Sequence, residues 1–151
     1  MKATLIILSI FFGLLSEDKS IEVETVRKNY SSAAANELVC DAMIIELKKN
    51  KNSTVLLGYL GGFQTVWANH VFNPVSKLNT FNEGKRNIEK AIKSDPNSLE
   101  LRFVRLSVQK NAPSFLGYSS AIEEDERFIK KYKNTIHSTE LLKMVNALLN
   151  E

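Results

Sequence analysis

The sequence predicts an all-α fold, in which antiparallel helical hairpins pack as a compact bundle of about six or seven helices. Three observations carry that reading. Apolar residues recur at helical spacing, and no segment alternates apolar and polar residues between hairpin turns. Ser, Thr and Asn stand directly ahead of the apolar stretches, where a helix needs side-chain acceptors for its first amides. Only 6 Gly and 3 Pro occur in 151 residues, too few for a turn-rich β-sandwich.

The elements follow in order. Lys2 precedes a charge-free run from Ala3 to Leu15, and Glu17 and Asp18 come just after Ser16. A bilayer span needs about 20 apolar residues and a signal-peptide core about 7 to 15. Residues 1–16 therefore read as a signal peptide cleaved near Ser16, with a short uncleaved anchor or a buried helix as the alternative. That leaves a single domain over 17–151, exported to the periplasm or secreted, with no stable membrane span after signal removal. No Cys follows the run, so a lipid-anchored lipoprotein is not supported.

Ile21 to Leu47 reads as one or two helices, with a break around Ala35-Asn36. Ser53 caps an apolar helix from Val55 to Phe72, and Asn73-Pro74 suits the N-cap and first residue of a short following turn. Thr80-Phe-Asn-Glu83 has the form of a capping box, opening a stripe of Phe81, Gly84, Ile88, Ala91 and Ile92 that stops at Asp95-Pro96. Ser98 opens Leu99 to Asn111, which ends before Pro113. The loop Asn111 to Tyr118 carries two aromatics that either dock on the bundle or form a binding lip. Ser120-Ala-Ile-Glu123 is a second capping box, leading into Ile122, Phe128, Ile129 and Tyr132. Ser138 opens the last helix, with Leu141, Leu142, Val145, Leu148 and Leu149 on its apolar side.

Composition narrows the classes of function. Hydrophobic residues at 44% and charged residues at 25% exclude a disordered chain. The single Cys excludes an internal disulfide framework and a Cys-cluster metal site, and Cys40 is expected to be buried. A net charge of +3 is too small to predict a nucleic-acid partner.

The stretch GKRNIEKAIKSDPNSLELRFVRLSV, Gly84 to Val108, resembles the junction between two tetratricopeptide repeats. That family places a small residue at the position of Gly84, a larger apolar one at Ile88, Ala at Ala91 and Pro at Pro96. Small residues there let paired helices approach, and the Pro ends the second helix before the next repeat. The resemblance covers about one repeat of the 34-residue period. It implies a tetratricopeptide-like bundle in which the first helix of a pair lines a binding groove. The chain is also similar to small exported proteins of Bacteroidetes, chiefly between Tyr59 and Pro74.

Candidate binding residues lie in two places. On the Leu99–Asn111 helix, Arg102, Arg105 and Gln109 share one narrow face, and two guanidinium forks suit a carboxylate or phosphate. By the resemblance this strip would hold a peptide carboxylate; pairing with acids of the chain itself is the alternative. In the Gly-rich helix, Gly58, Gly61, Gly62, Thr65, Ala68 and Asn69 fall on one face. Each helical Gly costs about 1 kcal/mol relative to Ala, so either a closely packed neighbour or a small-walled groove must offset it. Trp67, Asn69 and His70 stand at the end of this helix. His70 has no acid or nucleophile at helical spacing, so it reads as a partner for backbone groups. The acids Glu123 to Glu126 read as complements to a helix dipole.

No nucleophile triad, phosphate loop or paired-His metal motif occurs. The expectation is a non-enzymatic module, without metal or cofactor, that binds a protein or peptide. Its groove would lie beside Leu99–Asn111 and include the end of the Gly-rich helix. The alternative is a carrier of a small apolar ligand, with a cavity lined by Tyr59, Phe63 and Trp67.

Overall fold

A computed structural model of the chain describes residues 21–50 and 53–150, so the expected signal peptide over 1–16 lies outside the described residues. Among the described residues there are seven α-helices and no strand. They are α1 (Val23–Tyr30), α2 (Glu37–Lys49), α3 (Thr54–Trp67), α4 (Pro74–Ser94), α5 (Leu99–Asn111), α6 (Ile122–Tyr132) and α7 (Thr139–Leu149). Short 3-10 turns follow α5 at Ser114–Leu116 and α6 at Lys133–Thr135.

Side-chain caps set most of the starts. Asn36, Ser53, Ser98 and Ser138 each accept the amide three residues on, at 3.2, 3.3, 3.3 and 3.1 Å. Asn36 thereby makes the break that separates α1 from α2. The two expected capping boxes are not used. Asn73 Oδ1 accepts the amides of both Val75 and Ser76 at 3.0 Å, and Pro74 gives the first turn a residue with no amide to satisfy. Helix α4 therefore begins at Pro74, and Thr80 lies inside it rather than at its start. The expected short turn is the opening of a 21-residue helix. At α6 the N-cap is Ala121, with no side-chain cap bond, and the acids Glu123, Glu124 and Asp125 in the first turn complement the dipole instead. Helix α3 stops at Trp67 rather than Phe72, because Asn69 and His70 turn the chain with amide bonds back to Val66 and Trp67 at 2.9 Å.

The core is organised around α3 and α5. Tyr59 and Phe63 of α3 are fully buried, and both meet the edge of the Tyr30 ring, with centroids 5.2 and 5.3 Å away. Cys40 is fully buried as expected, and its thiol donates to the Phe63 carbonyl at 3.4 Å. Burial raises that thiol's pKa to about 12, so it stays protonated at ordinary pH. Helix α5 is enclosed on several sides, with Leu101, Phe103, Val104, Leu106 and Val108 all buried.

The closest helix contact joins α3 to α4, which run antiparallel: Gly58 faces Ala91, whereas Thr65 faces Gly84. A methyl group at Gly61 would stand 2.5 Å from the Gly84 carbonyl oxygen, and one at Gly84 would stand 2.5 Å from that of Gly61. Two backbones thus touch with no room for a side chain on either, which offsets the helical cost of both glycines. Beside this contact, Gln64 donates to Glu83 at 2.6 Å and accepts from Asn87 at 2.7 Å. At the opposite end of the bundle, Arg27 of α1 makes a two-pronged ion pair with Glu100 of α5 at 2.8 and 2.7 Å, and the Tyr59 hydroxyl donates to the same carboxylate. No helix of the described residues is long and apolar enough to cross a membrane.

Candidate functional site

The face carrying Arg102, Arg105 and Gln109 is occupied by the chain's own groups. Asp125 of α6 is fully buried and receives Arg105 through both prongs, Nε to Oδ2 at 2.6 Å and Nη2 to Oδ1 at 2.7 Å. Arg105 also reaches Glu89 at 3.2 Å, and its bond to Asp125 holds its pKa above the ordinary arginine value. Arg102 donates to Glu124 at 2.8 Å, to Asp125 at 2.9 Å and to the Pro96 carbonyl at 3.0 Å, while its guanidinium lies over the Phe128 ring. Gln109 is only 3% exposed, and its Oε1 has no partner among the described residues. The structure thus brings Arg102 and Arg105 together, around an internal acid. Asp125, read from sequence as one of four acids that complement a helix dipole, is the hub that fastens α6 to α5.

The glycine face of α3 is filled as well. The Leu101 side chain covers Gly58, α4 covers Gly61, and the Tyr30 ring and hydroxyl cover Gly62. No groove runs along that part of the helix. Tyr59 and Phe63 are fully buried core residues, and half-buried Trp67 stacks near His70 with centroids 5.6 Å apart. His70 Nε2 lies 3.2 Å from the Ala33 carbonyl oxygen, the backbone partnership its position predicts. Asn69 is exposed.

An open cleft of about 830 Å3 begins where the glycine face ends. Its walls come from the end of α1 and the turn after it, the last turn of α3, the first two turns of α4, the second half of α5, the turn after it, and α7. The floor includes Phe81, Phe103, Val108 and Met144, all buried. Helix α4 lends Pro74, Lys77, Leu78 and Phe81, an i, i+3, i+4, i+7 set on one helix face. Asn69 lies on the margin; Arg102, Arg105, Gln109, Trp67 and His70 do not line the cleft.

The mouth of the cleft is apolar too. Leu78 is 46% exposed and Phe115 is 84% exposed. The loop aromatics divide the two roles considered for them. Tyr118 docks, with its hydroxyl on Glu89 at 2.6 Å and its ring against Phe81, while Phe115 forms a lip of the cleft.

Several polar groups of the cleft are engaged locally, while the exposed side chains of Ser31 and Asn69 are not. The Ser107 hydroxyl lies 2.9 Å from that of Tyr30 and 2.7 Å from the Val104 carbonyl oxygen. Burial raises the Tyr30 pKa to about 12, so it presents a neutral hydroxyl. Thr65 donates to the Gly62 carbonyl at 2.7 Å, and Asn111 to that of Ser107 at 2.8 Å. The one charged residue of the lining is Lys77, exposed at the mouth. Among the described residues, no group of three or more His, Cys, Asp or Glu side chains is placed to hold a metal ion.

The fold and site define an all-helical domain with an apolar, half-open cleft. No protein-family model, curated protein or solved structure matches the chain.

Sequence reasoning missed Leu78 and Met144 as cleft residues and offered Phe115 only as one of two loop aromatics that dock or form a lip. The signal for the first was present: Asn73-Pro74 is a strong helix start, and extending the helix from it aligns Pro74, Leu78 and Phe81. The lip and the α7 wall are set by tertiary packing.

Proposed function

We propose that this protein is an exported, non-enzymatic, tetratricopeptide-like module that binds a segment of a partner protein in the apolar cleft between α3, α4, α5 and α7. The observation that carries this reading is the continuity of apolar surface from the buried floor to the exposed rim. The floor at Phe81 and Phe103 is buried, whereas Leu78 and Phe115 stand exposed at the lip of the same cleft. A protein segment covers floor and rim together, and burying that surface supplies the driving force. The cleft lies beside α5 and the end of α3, where a groove was expected. It uses other side chains than Arg102 and Arg105, whose charges are already paired. The tetratricopeptide-like reading is supported by the Gly61–Gly84 contact, since close approach of paired helices is what small residues serve in that family.

A photo-crosslinking residue at position 115, compared with one at exposed Arg127 on α6, tests this. A discrete adduct at 115, absent at 127 and abolished by Leu78→Asp, supports the reading. The same adduct from both positions, or one that survives Leu78→Asp, overturns it.

A further inference from the structure

Resting on the cleft as the binding site, we infer that its occupant is an amphipathic α-helix of the partner carrying a carboxylate beside its apolar face, which meets Lys77 at the mouth. Two independent features of the cleft point there.

The first concerns the occupant's backbone. A segment entering an apolar cleft must keep its amides and carbonyls hydrogen-bonded. The cleft offers little to an extended chain. The Tyr30, Thr65 and Ser107 hydroxyls and the Asn111 amide already hold internal partners, which leaves only the exposed Ser31 and Asn69 side chains to bond it, and no strand edge exists among the described residues to pair with. A helix brings its hydrogen bonds with it and presents only side chains. Insertion of an apolar helix face between helices is the recognition mode left, with anchors at i, i+3, i+4 and i+7.

The second concerns charge. Lys77 is the sole charged residue lining the cleft, no carboxylate lines it, and Lys77 has no ion-pair partner among the described residues. It stands in the first turn of α4, where the helix dipole already favours negative charge. A cation at that position gains nothing from its own helix. An external carboxylate at the mouth would be drawn by the lysine and the dipole together. The cleft, about 830 Å3 with Leu78 and Phe115 exposed at its lip, suits a partner broader than a single acyl chain.

The probes are two synthetic helical peptides with Leu at the four anchor positions, one with Glu and one with Lys flanking that face. The intrinsic fluorescence of Trp67, which adjoins the cleft residues Val66 and Ala68, reports binding. The Glu peptide is expected to bind on the order of five- to tenfold more tightly than the Lys peptide, with the difference shrinking at high salt. Lys77→Glu should reverse the order without altering the circular dichroism, because Lys77 is exposed. Equal binding of both peptides, still abolished by Leu78→Asp, overturns the carboxylate inference and leaves the cleft reading standing. If neither peptide binds, the cleft as a helix-binding site fails. If dodecanoate binds instead, the occupant is a small amphiphile and both readings fall.

Discussion

Gly61→Ala is the perturbation that tests the packing most sharply. Its new methyl would lie 2.5 Å from the Gly84 carbonyl oxygen and 2.8 Å from the Ile88 amide nitrogen. Ordinary contacts of carbon fall near 3.5–4.0 Å, so α3 and α4 must separate by about 1 Å. Two of the nearest obstructing atoms, the Gly84 oxygen and the Ile88 nitrogen, are backbone that no rotamer change can move, and the third is Ile88 Cγ1 at 2.8 Å. Overpacking of this kind costs about 1–3 kcal/mol, and the better helix propensity of Ala returns about 1 kcal/mol at most. With rigid atoms on the far side, the cost belongs at the upper end, for a net loss of about 2 kcal/mol. Gly84→Ala should lose a similar amount, because its methyl meets the Gly61 carbonyl oxygen and the Thr65 amide. The double variant should cost less than the sum, since one separation of the helices relieves both clashes. Gly58→Ala should be milder, because a Leu101 side chain that can rotate stands in its way. Urea unfolding, with midpoints compared at constant slope, measures all four variants. A neutral or stabilising Gly61→Ala, or strict additivity of the pair, would refute the backbone contact.

The buried hub and the titrating groups make further predictions. Asp125→Asn should destabilise by about 3 kcal/mol, since it leaves Arg105 short of its counter-charge, whereas Glu124→Gln on the exposed side should cost under about 1 kcal/mol; equal costs in urea unfolding would contradict the assignment of Asp125 as the hub. Folded-state pKa values of Cys40 and Tyr30 are raised from 9.0 and 10.0 to about 12, so the stability they contribute is whole below pH 9 and falls as the pH rises toward 12. Cys40→Ala should flatten the first part of that decline, between pH 9 and 10, and an unchanged slope in pH-dependent urea unfolding would count against burial of the thiol. The carboxyls of Glu24, Glu124 and Glu126 are held below their ordinary range by hydrogen bonds from Arg27 and Ser138, from Arg102, and from Lys130 and Lys110 respectively. Their contribution is present above pH 4.5 and is lost as the pH falls through the lower folded values, so thermal unfolding in low salt should show decreasing stability below that point.

Much of the fold was legible because it rests on local chemistry. Asn36, Ser53, Ser98 and Ser138 mark helix starts through a single side-chain acceptor, and such signals survive any tertiary arrangement. The failures have a common cause. Thr80-Phe-Asn-Glu83 fits a capping box, but Asn73-Pro74 starts the helix earlier and turns Thr80 into an interior residue. Ser120 fits another, but the start of α6 is held by its acids and their pairing with α5. Which charges meet is a tertiary fact: Arg102 and Arg105 share a helix face in the sequence pattern, and only packing shows that Asp125 lies beneath both. The cleft was half visible. A groove beside α5 was expected from the tetratricopeptide resemblance and the Arg102–Arg105–Gln109 strip, which lines no part of this cleft, while its lip at Phe115 and its wall on α7 depend on where distant segments land.

The most direct test of the cleft as the binding site is amide chemical-shift mapping while the Glu-flanked helical peptide is titrated into the labelled protein. The predicted result is a set of shifts confined to Leu78, Phe81, Phe103, Phe115, Met144 and Leu148, with the α5–α6 face unmoved. Shifts centred on Arg102, Glu124 and Asp125, with the cleft silent, would contradict it.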